Sequence, residues 1–271
     1  MSFTLIKGTF DPSLGRPDGD SLRFIPDDPN PIYRLRRRTS EPSINPENHS
    51  IQLRYEAIDS LEATASQPNA SDATASNFEL AGTRGGADSA RGYLLTNQLG
   101  PDGRPIAFAF AGDTPEPDGS DILVDADRIM NSINVRQLER GLAYPLFYDT
   151  LFDDLRARMR QVSIAARENK LGLWPYDKTL QGVTYTDDLS ALPPIYPKLW
   201  RRLDSFQRDE TMYDAARPLV NFTTWVARER PERVTVPGAN VFTGFDNLIE
   251  TTTDTLRMSV DPLDLIIVSA M

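Results

Sequence analysis

The sequence contains no cysteine, which excludes disulfides, zinc thiolate sites and a thiol nucleophile. It contains one histidine, His49, which lies in a polar run and is typical of a solvated loop. A single histidine rules out multi-histidine metal sites and leaves little room for a serine–histidine–aspartate triad. Any chemistry is therefore expected from carboxylates, arginines, hydroxyls and an oxygen-ligated cation.

Long apolar runs are missing as well. No stretch approaches the roughly 18 apolar residues that span a bilayer, and the start lacks the pattern of a signal peptide. We therefore expect a soluble, cytoplasmic protein without a membrane partner.

Lysine is scarce, since only four of the 29 basic residues are lysines and the others are arginines. The planar arginine fork suits phosphate through two parallel hydrogen bonds. The net charge of −10 argues against a nonspecific nucleic-acid coat protein but leaves room for a local positive cleft.

Strands followed by closing helices indicate an α+β fold in the first part of the chain. Residues 51–58 alternate between apolar and polar side chains, the period of a half-buried strand. The remaining predictions are strands at 21–26, 105–112 and 122–126, a mobile loop at 63–80, and helices at 88–99, 129–140 and 155–170.

The character of the sequence changes near residue 178, which predicts domains at 1–178 and 179–271. In the C-terminal extension, Leu199, Leu203 and Phe206 recur at helical spacing, and the runs RVTVPG and LDLIIVS read as strands. We expect a mostly helical extension, mixed with some strand, that packs onto the first domain. An oligomer or a protein partner bound through it is left open.

The candidate chemistry lies at two strand edges and one turn. Asp20 and Asp59 carry hard oxygen ligands suited to Ca²⁺ or Mg²⁺, helped by the carbonyl of Ser60. Glu62 could deprotonate a water, while Arg54 and Arg104 could neutralise the charge on an attacked phosphate. If these segments meet, they form a sufficient set for phosphodiester hydrolysis.

Five ordered motifs between about residues 15 and 178 resemble the staphylococcal-nuclease-like (thermonuclease) family. They are DGDS at 18–21, R-x-x-x-x-D-S-L-E at 54–62, G-R-P-I-A-F-A-F at 103–110, I-N-V-R-Q-L-E-R-G-L-A at 133–143 and the segment 166–174, which ends in L-G-L-W. The resemblance implies a five-stranded OB-fold barrel with packed helices.

The resemblance also implies a Ca²⁺-dependent endonuclease that cleaves DNA and RNA to 5′-hydroxyl and 3′-phosphate ends, with Mg²⁺ or Mn²⁺ as alternatives. Asp20 and Asp59 would then bind the metal together with the carbonyl of Ser60. Glu62 would orient the water, and Arg54 and Arg104 would hold the phosphate.

The sequence departs from the family pattern at two positions before Glu62, and two tyrosines allow more than one interpretation. Serine replaces the family's threonine at Ser60, which a carbonyl ligand tolerates, and leucine replaces its proline at Leu61, which loosens the turn before Glu62. Tyr144 and Tyr148 either stack nucleobases beside the cleft or pack in the core. The alternative function is a catalytically weak or inactive scaffold that binds nucleic acid or protein.

Overall fold

The structure, a computed structural model, describes residues 2–36, 40–62, 67, 69–238 and 241–269. Within these ranges no helix is long and apolar enough to cross a membrane. Residues 63–66 and 68, which belong to the predicted loop, lie outside the described residues.

Sixteen strands form within the described residues, most of them short. Those before residue 178 are β1 (Ser2–Phe10), β2 (Arg23–Pro26), β3 (Ile51–Gln52), β4 (Arg54–Tyr55), β5 (Ile58–Ser60), β6 (Ala90–Leu99), β7 (Pro105–Ala111), β8 (Asp121–Leu123), β9 (Ala143–Pro145) and β10 (Phe147–Tyr148). Those after it are β11 (Val183–Thr184), β12 (Arg233–Thr235), β13 (Thr243–Gly244), β14 (Ile249–Thr251), β15 (Thr255–Met258) and β16 (Ile266–Val268).

The described residues also form six α-helices: α1 (Asn30–Tyr33), α2 (Ala70–Ala81), α3 (Ile133–Glu139), α4 (Asp153–Glu168), α5 (Pro197–Gln207) and α6 (Phe222–Glu229). Single 3₁₀ turns lie at Pro12–Leu14, Arg84–Gly86, Arg128–Asn131, Leu189–Ala191, Phe245–Leu248 and Pro262–Asp264. The predicted helices at 129–140 and 155–170 are confirmed in position. The first of them is split, because the Ser132 side chain caps α3 by accepting from the amide of Val135.

A mixed α/β architecture is built around a nearly closed, barrel-like sheet of six strands in the order β3-β2-β1-β6-β7-β4, with β8 paired to β1. The long antiparallel pairs β1–β6 and β6–β7 form its centre, and β4 joins β7 in parallel, with Arg54 opposite Ile106. This sheet places Arg54 at the edge that faces the acidic residues.

The segment predicted as a helix at 88–99 is strand β6, and that prediction is wrong. Its consecutive apolar residues Leu94 and Leu95 are both fully buried, because the strand is covered on both faces and paired along both edges. A strand covered in this way lacks the alternation that marks a half-exposed one. The predicted loop at 63–80 likewise contains α2 instead.

The predicted strand at 51–58 is broken by a turn at Glu56 and Ala57, where Ala57 has a φ of 65°. This left-handed backbone redirects the chain out of the main sheet. As a result β5 pairs with β9, with Asp59 opposite Tyr144. The break therefore moves Asp59, Ser60 and Glu62 toward the C-terminal extension.

Two hydrophobic cores form, one inside the main sheet and one beneath the extension. The second core combines Leu61, Tyr144 and Trp174 with Trp200 and Phe222 of the extension. In addition, β10 pairs in parallel with β16. Residues on both sides of position 178 therefore share one core, which crosses the domain boundary predicted from the sequence.

The ends of α3 and α4 meet through two glycines with left-handed backbones, Gly141 (φ 66°) and Gly172 (φ 54°). A Cβ on Gly141 would lie 2.4 Å from the carbonyl oxygen of Leu171, and one on Gly172 would lie 2.2 Å from that of Gly141. Only glycine permits both this conformation and this approach.

Candidate functional site

The structure brings the turn at residues 18–21 against the end of β5. One carboxylate oxygen of Asp20, Oδ2, accepts a hydrogen bond of 3.2 Å from the amide of Ser60. Asp59 precedes Ser60 in β5, and Glu62 follows two positions later. Asp20, Asp59, Ser60 and Glu62, predicted from separate segments, thus lie in one acidic cluster, with Asp18 beside Asp20.

A buried polar network fixes the acidic turn. The amide of Asn77 donates to the carbonyl of Asp18 at 2.6 Å, and its oxygen accepts from the hydroxyl of Tyr55 at 2.9 Å. The amide of Gln137 donates at 2.8 Å to the carbonyls of both Gly19 and Ala73. Helices α2 and α3 therefore hold the turn in place through side chains that sequence periodicity does not reveal.

Gly19 allows the turn to approach its neighbours closely. A Cβ at this position would lie 2.5 Å from the Cβ of Ala73 and 2.6 Å from that of Ser60. Such distances are far inside van der Waals contact, so the turn reaches β5 only because residue 19 lacks a side chain.

Arg54 lies beside the acidic cluster, as predicted. Burial acts to lower the pKa of its guanidinium, but the nearby side chains of Tyr148, Asp59 and Asp20 outweigh it and raise the pKa. Its strand is held by Asn134, whose amide donates to the carbonyls of Glu56 and Ala107 at 2.9 and 3.0 Å.

Arg104 has a different partner. Its Nε lies 2.5 Å from Oδ2 of Asp102, two residues earlier in the turn before β7. Arg104 is thus held by its own turn rather than by the acidic cluster.

Arg201, in α5 of the extension, makes the most extensive contact with the cluster. Its two terminal nitrogens donate to both carboxylate oxygens of Asp59 at 2.9 and 2.8 Å, and Nη1 also bonds Oε1 of Glu62. The side chain of Asp59 is 2% exposed, that of Glu62 21% and that of Arg201 31%. One guanidinium therefore joins the expected metal ligand to the expected base.

Helix α5 is anchored on two sides. Its apolar side chains Leu199, Trp200, Leu203 and Phe206 are at most 1% exposed. On another face, Lys198 and Arg202 share Glu232 at 2.7 and 2.8 Å. Burial lowers the pKa of Lys198 to about 8 even though Glu232 opposes the shift. Arg201 is thus presented by a helix that is packed and ion-paired in place.

The pKa values of three carboxyl groups in the cluster are raised. Burial, and then the charge of Asp20, raise the pKa of Asp18 well above its ordinary value. Burial and the charge of Asp59 likewise raise the pKa of Asp20. Burial also raises the pKa of Glu62, while Arg201 opposes that shift. These directions follow from crowding several carboxylates into a partly desolvated space.

The donor set does not fit Ca²⁺ in this arrangement. Both oxygens of Asp59 and one of Glu62 already bond a guanidinium. In the described part of the chain, no group of three or more histidine or acidic side chains is arranged to hold a metal ion. Since hard cations need free carboxylate oxygens, Arg201 takes up the ligands that a metal would require.

The two tyrosines differ in their environments. Tyr144 is fully buried, donates from its hydroxyl to Asp177 at 2.7 Å, and packs edge-on against Trp174 and Tyr196. Stacking a nucleobase on Tyr144 would require this core to open. Tyr148 is only partly buried and lies close enough to Arg54 to sense its charge.

Arg201 and Lys198 were not among the residues predicted from sequence. The available signal was the spacing of Lys198, Arg201 and Arg202, which puts three cations on neighbouring faces of a helix that also carries an apolar stripe. Their acidic partners are far away in the chain.

Comparison of the chain with protein-family models and with curated proteins finds no match. The resemblance to thermonucleases therefore stays an expectation that rests on the five sequence motifs.

Proposed function

We propose that this chain is a catalytically weak or silent module of thermonuclease-like architecture that binds a partner without hydrolysing phosphodiester bonds. The six-strand sheet is compatible with the five-stranded OB-like barrel that forms part of this proposal. The observation that carries the functional part is the contact of Arg201 with both Asp59 and Glu62.

A general base must have a free oxygen near the water that it deprotonates. Oε1 of Glu62 instead accepts a charge-assisted hydrogen bond from Arg201, so a proton delivered to that oxygen must compete with the guanidinium. Arg104 points to its own turn, where its Nε pairs with Asp102, and it makes no contact with Asp59 or Glu62 among the described residues.

A Ca²⁺-dependent endonuclease acting on DNA or RNA is the second candidate. The convergence of Asp20, Asp59, Ser60 and Glu62 beside Arg54 supports it. In this candidate Glu62 activates water while Arg54 and Arg104 stabilise the phosphate, and Arg201 must first leave the two carboxylates.

The charge of the chain favours a protein partner over nucleic acid. Residues 1–178 hold 20 basic and 26 acidic side chains, and the whole chain has a net charge of −10. Such a balance opposes attraction to a polyanion, which depends on exposed positive charge.

A nuclease assay separates the two candidates. Purified protein is incubated with single-stranded DNA and with RNA, with Ca²⁺, Mg²⁺ or Mn²⁺ and with EDTA, beside an active thermonuclease. We expect no cleavage above that of the Glu62→Gln variant. Ca²⁺-dependent cleavage that EDTA and Glu62→Gln both abolish would establish the endonuclease instead.

A further inference from the structure

Arg201 supplies positive charge at the place where the nuclease resemblance puts a metal ion. It bonds both oxygens of Asp59, the expected ligand, and Oε1 of Glu62, the expected base. A guanidinium with two parallel N–H groups matches a carboxylate in direction as well as in charge.

The position of Arg201 is a fixed part of the fold. Helix α5 buries Leu199, Trp200, Leu203 and Phe206 in the second core, and Glu232 holds Lys198 and Arg202. Moving the helix would expose this apolar surface and break both ion pairs. The backbone that carries Arg201 is therefore fixed beside the cluster, unlike that of a residue on a loop that opens.

The charge balance of the cluster depends on this side chain. Among the described residues, the carboxyl groups of Asp18, Asp20, Asp59 and Glu62 lie close to the guanidiniums of Arg54 and Arg201. Lys198 and Arg202 are paired with Glu232. Without Arg201, four acids would face Arg54 alone, and two oxygens of Asp59 would lose their donors.

We propose that Arg201 replaces the divalent cation of this site, so that the natural protein does not bind Ca²⁺ there and loss of Arg201 creates a Ca²⁺ site. This inference rests on the proposed function, since it concerns the same cluster.

The test measures metal binding rather than activity. The wild-type full chain and its Arg201→Ala and Arg201→Met variants are titrated with Ca²⁺ by calorimetry, and with Tb³⁺ by luminescence excited through the nearby aromatic rings. Arg208→Ala is the matched control, because Arg208 lies at the C-terminal end of the same helix and its exposed side chain forms an ion pair with Asp204.

We expect no saturable binding by the wild type or by Arg208→Ala. The two Arg201 variants should bind Ca²⁺ with a dissociation constant of roughly 10⁻⁴ M or below, within the range of protein oxygen sites. Adding Asp59→Asn to Arg201→Ala should abolish this gained binding.

Wild-type Ca²⁺ binding that Asp20→Asn removes would overturn the proposal, and so would folded Arg201 variants that bind no Ca²⁺. Should neither variant fold, the wild-type titration alone tests the proposal. No saturable Ca²⁺ binding supports it, and Ca²⁺ binding that Asp20→Asn removes overturns it. Cleavage that persists in EDTA would overturn the proposed function and leave the role of Arg201 standing. Ca²⁺ binding by the wild type without cleavage would overturn the role proposed for Arg201 and leave the proposed function standing.

Discussion

Asp59 and Arg201 lie 142 positions apart in the chain and share two hydrogen bonds of 2.9 and 2.8 Å. The carboxylate is almost inaccessible, at 2% exposure, while the guanidinium is 31% exposed. Breaking a fully buried pair costs about 3–5 kcal/mol, whereas an exposed pair contributes about 0–1 kcal/mol. Because only its carboxylate is fully buried, we expect breaking the Asp59–Arg201 pair to cost a free energy between these two values.

We therefore expect Asp59→Asn to lower the free energy of unfolding by about 2 kcal/mol, because it leaves Arg201 without its principal partner. Glu62→Gln should cost about half as much, since Glu62 is more exposed and bonds through one oxygen. Urea unfolding measures both values. Arg208→Ala serves as a surface control, and equal losses for Asp59→Asn and that control would contradict the prediction.

Glu56 gives stability a pH dependence of predictable sign. Burial raises its pKa to about 7, so the folded state holds a proton that the unfolded chain has released between about pH 4.5 and 7. Stability from this group is therefore complete at low pH and is lost as the pH rises through 7. Glu56→Gln should remove this decline.

At about pH 8 we expect Glu56→Gln to be more stable than the wild type by on the order of 2 kcal/mol, with little difference near pH 5. Urea unfolding across this range measures the effect, and the exposed Glu47→Gln variant is the control. A difference that does not change with pH would contradict the assignment to Glu56.

Gly19→Ala should displace the acidic turn from β5. The new methyl group would lie 2.5 Å from the Cβ of Ala73 and 2.6 Å from that of Ser60, and overpacking of this kind costs about 1–3 kcal/mol. Gly100→Ala is the comparison, because its methyl group would meet mainly the flexible carboxylate of Asp102 at 3.0 Å. Thermal unfolding should show a lower midpoint for Gly19→Ala alone, and matching midpoints would refute the steric argument.

A chain that ends at residue 178 should not fold cooperatively. It would lose the extension side chains that cover Tyr144, Leu146 and Trp174, and it would leave Asp59 and Glu62 without Arg201. Circular dichroism and denaturant unfolding of this fragment, beside the full chain, measure the outcome. A sharp unfolding transition in the fragment would show that the sequence-based domain boundary marks an independent unit.

Parts of the fold follow from local patterns and other parts do not. Helices α3 and α4 and strand β7 were predictable because they carry caps, terminal glycines or apolar runs. The sequence of helix α2 indicates a loop, because it has small and polar residues such as Ser76 and Asn77 where an apolar stripe is expected. Ser76 accepts a hydrogen bond from Arg140 and Asn77 donates to the acidic turn, so a hydrophobic pattern does not reveal the buried face of this helix.

The acidic residues of the cluster and Arg54 were predictable from the sequence, whereas Arg201 was not. Asp20, Asp59 and Glu62 belong to short motifs whose spacing survives in a single sequence. Arg201 pairs with Asp59, which lies 142 positions earlier, and no residue near Arg201 in the sequence indicates this partner. Only the folded arrangement of α5 against β5 shows that the two meet.

The glycine pair at the ends of α3 and α4 shows that part of the motif pattern has a structural cause. Gly141 and Gly172 fall inside two of the five motifs. Glycine is needed at both positions for steric reasons, since the two backbones are in close contact. Packing alone therefore requires these two glycines, whether or not any bond is broken at the carboxylates. Glycines at these helix ends report how two helices meet and do not by themselves indicate an active enzyme.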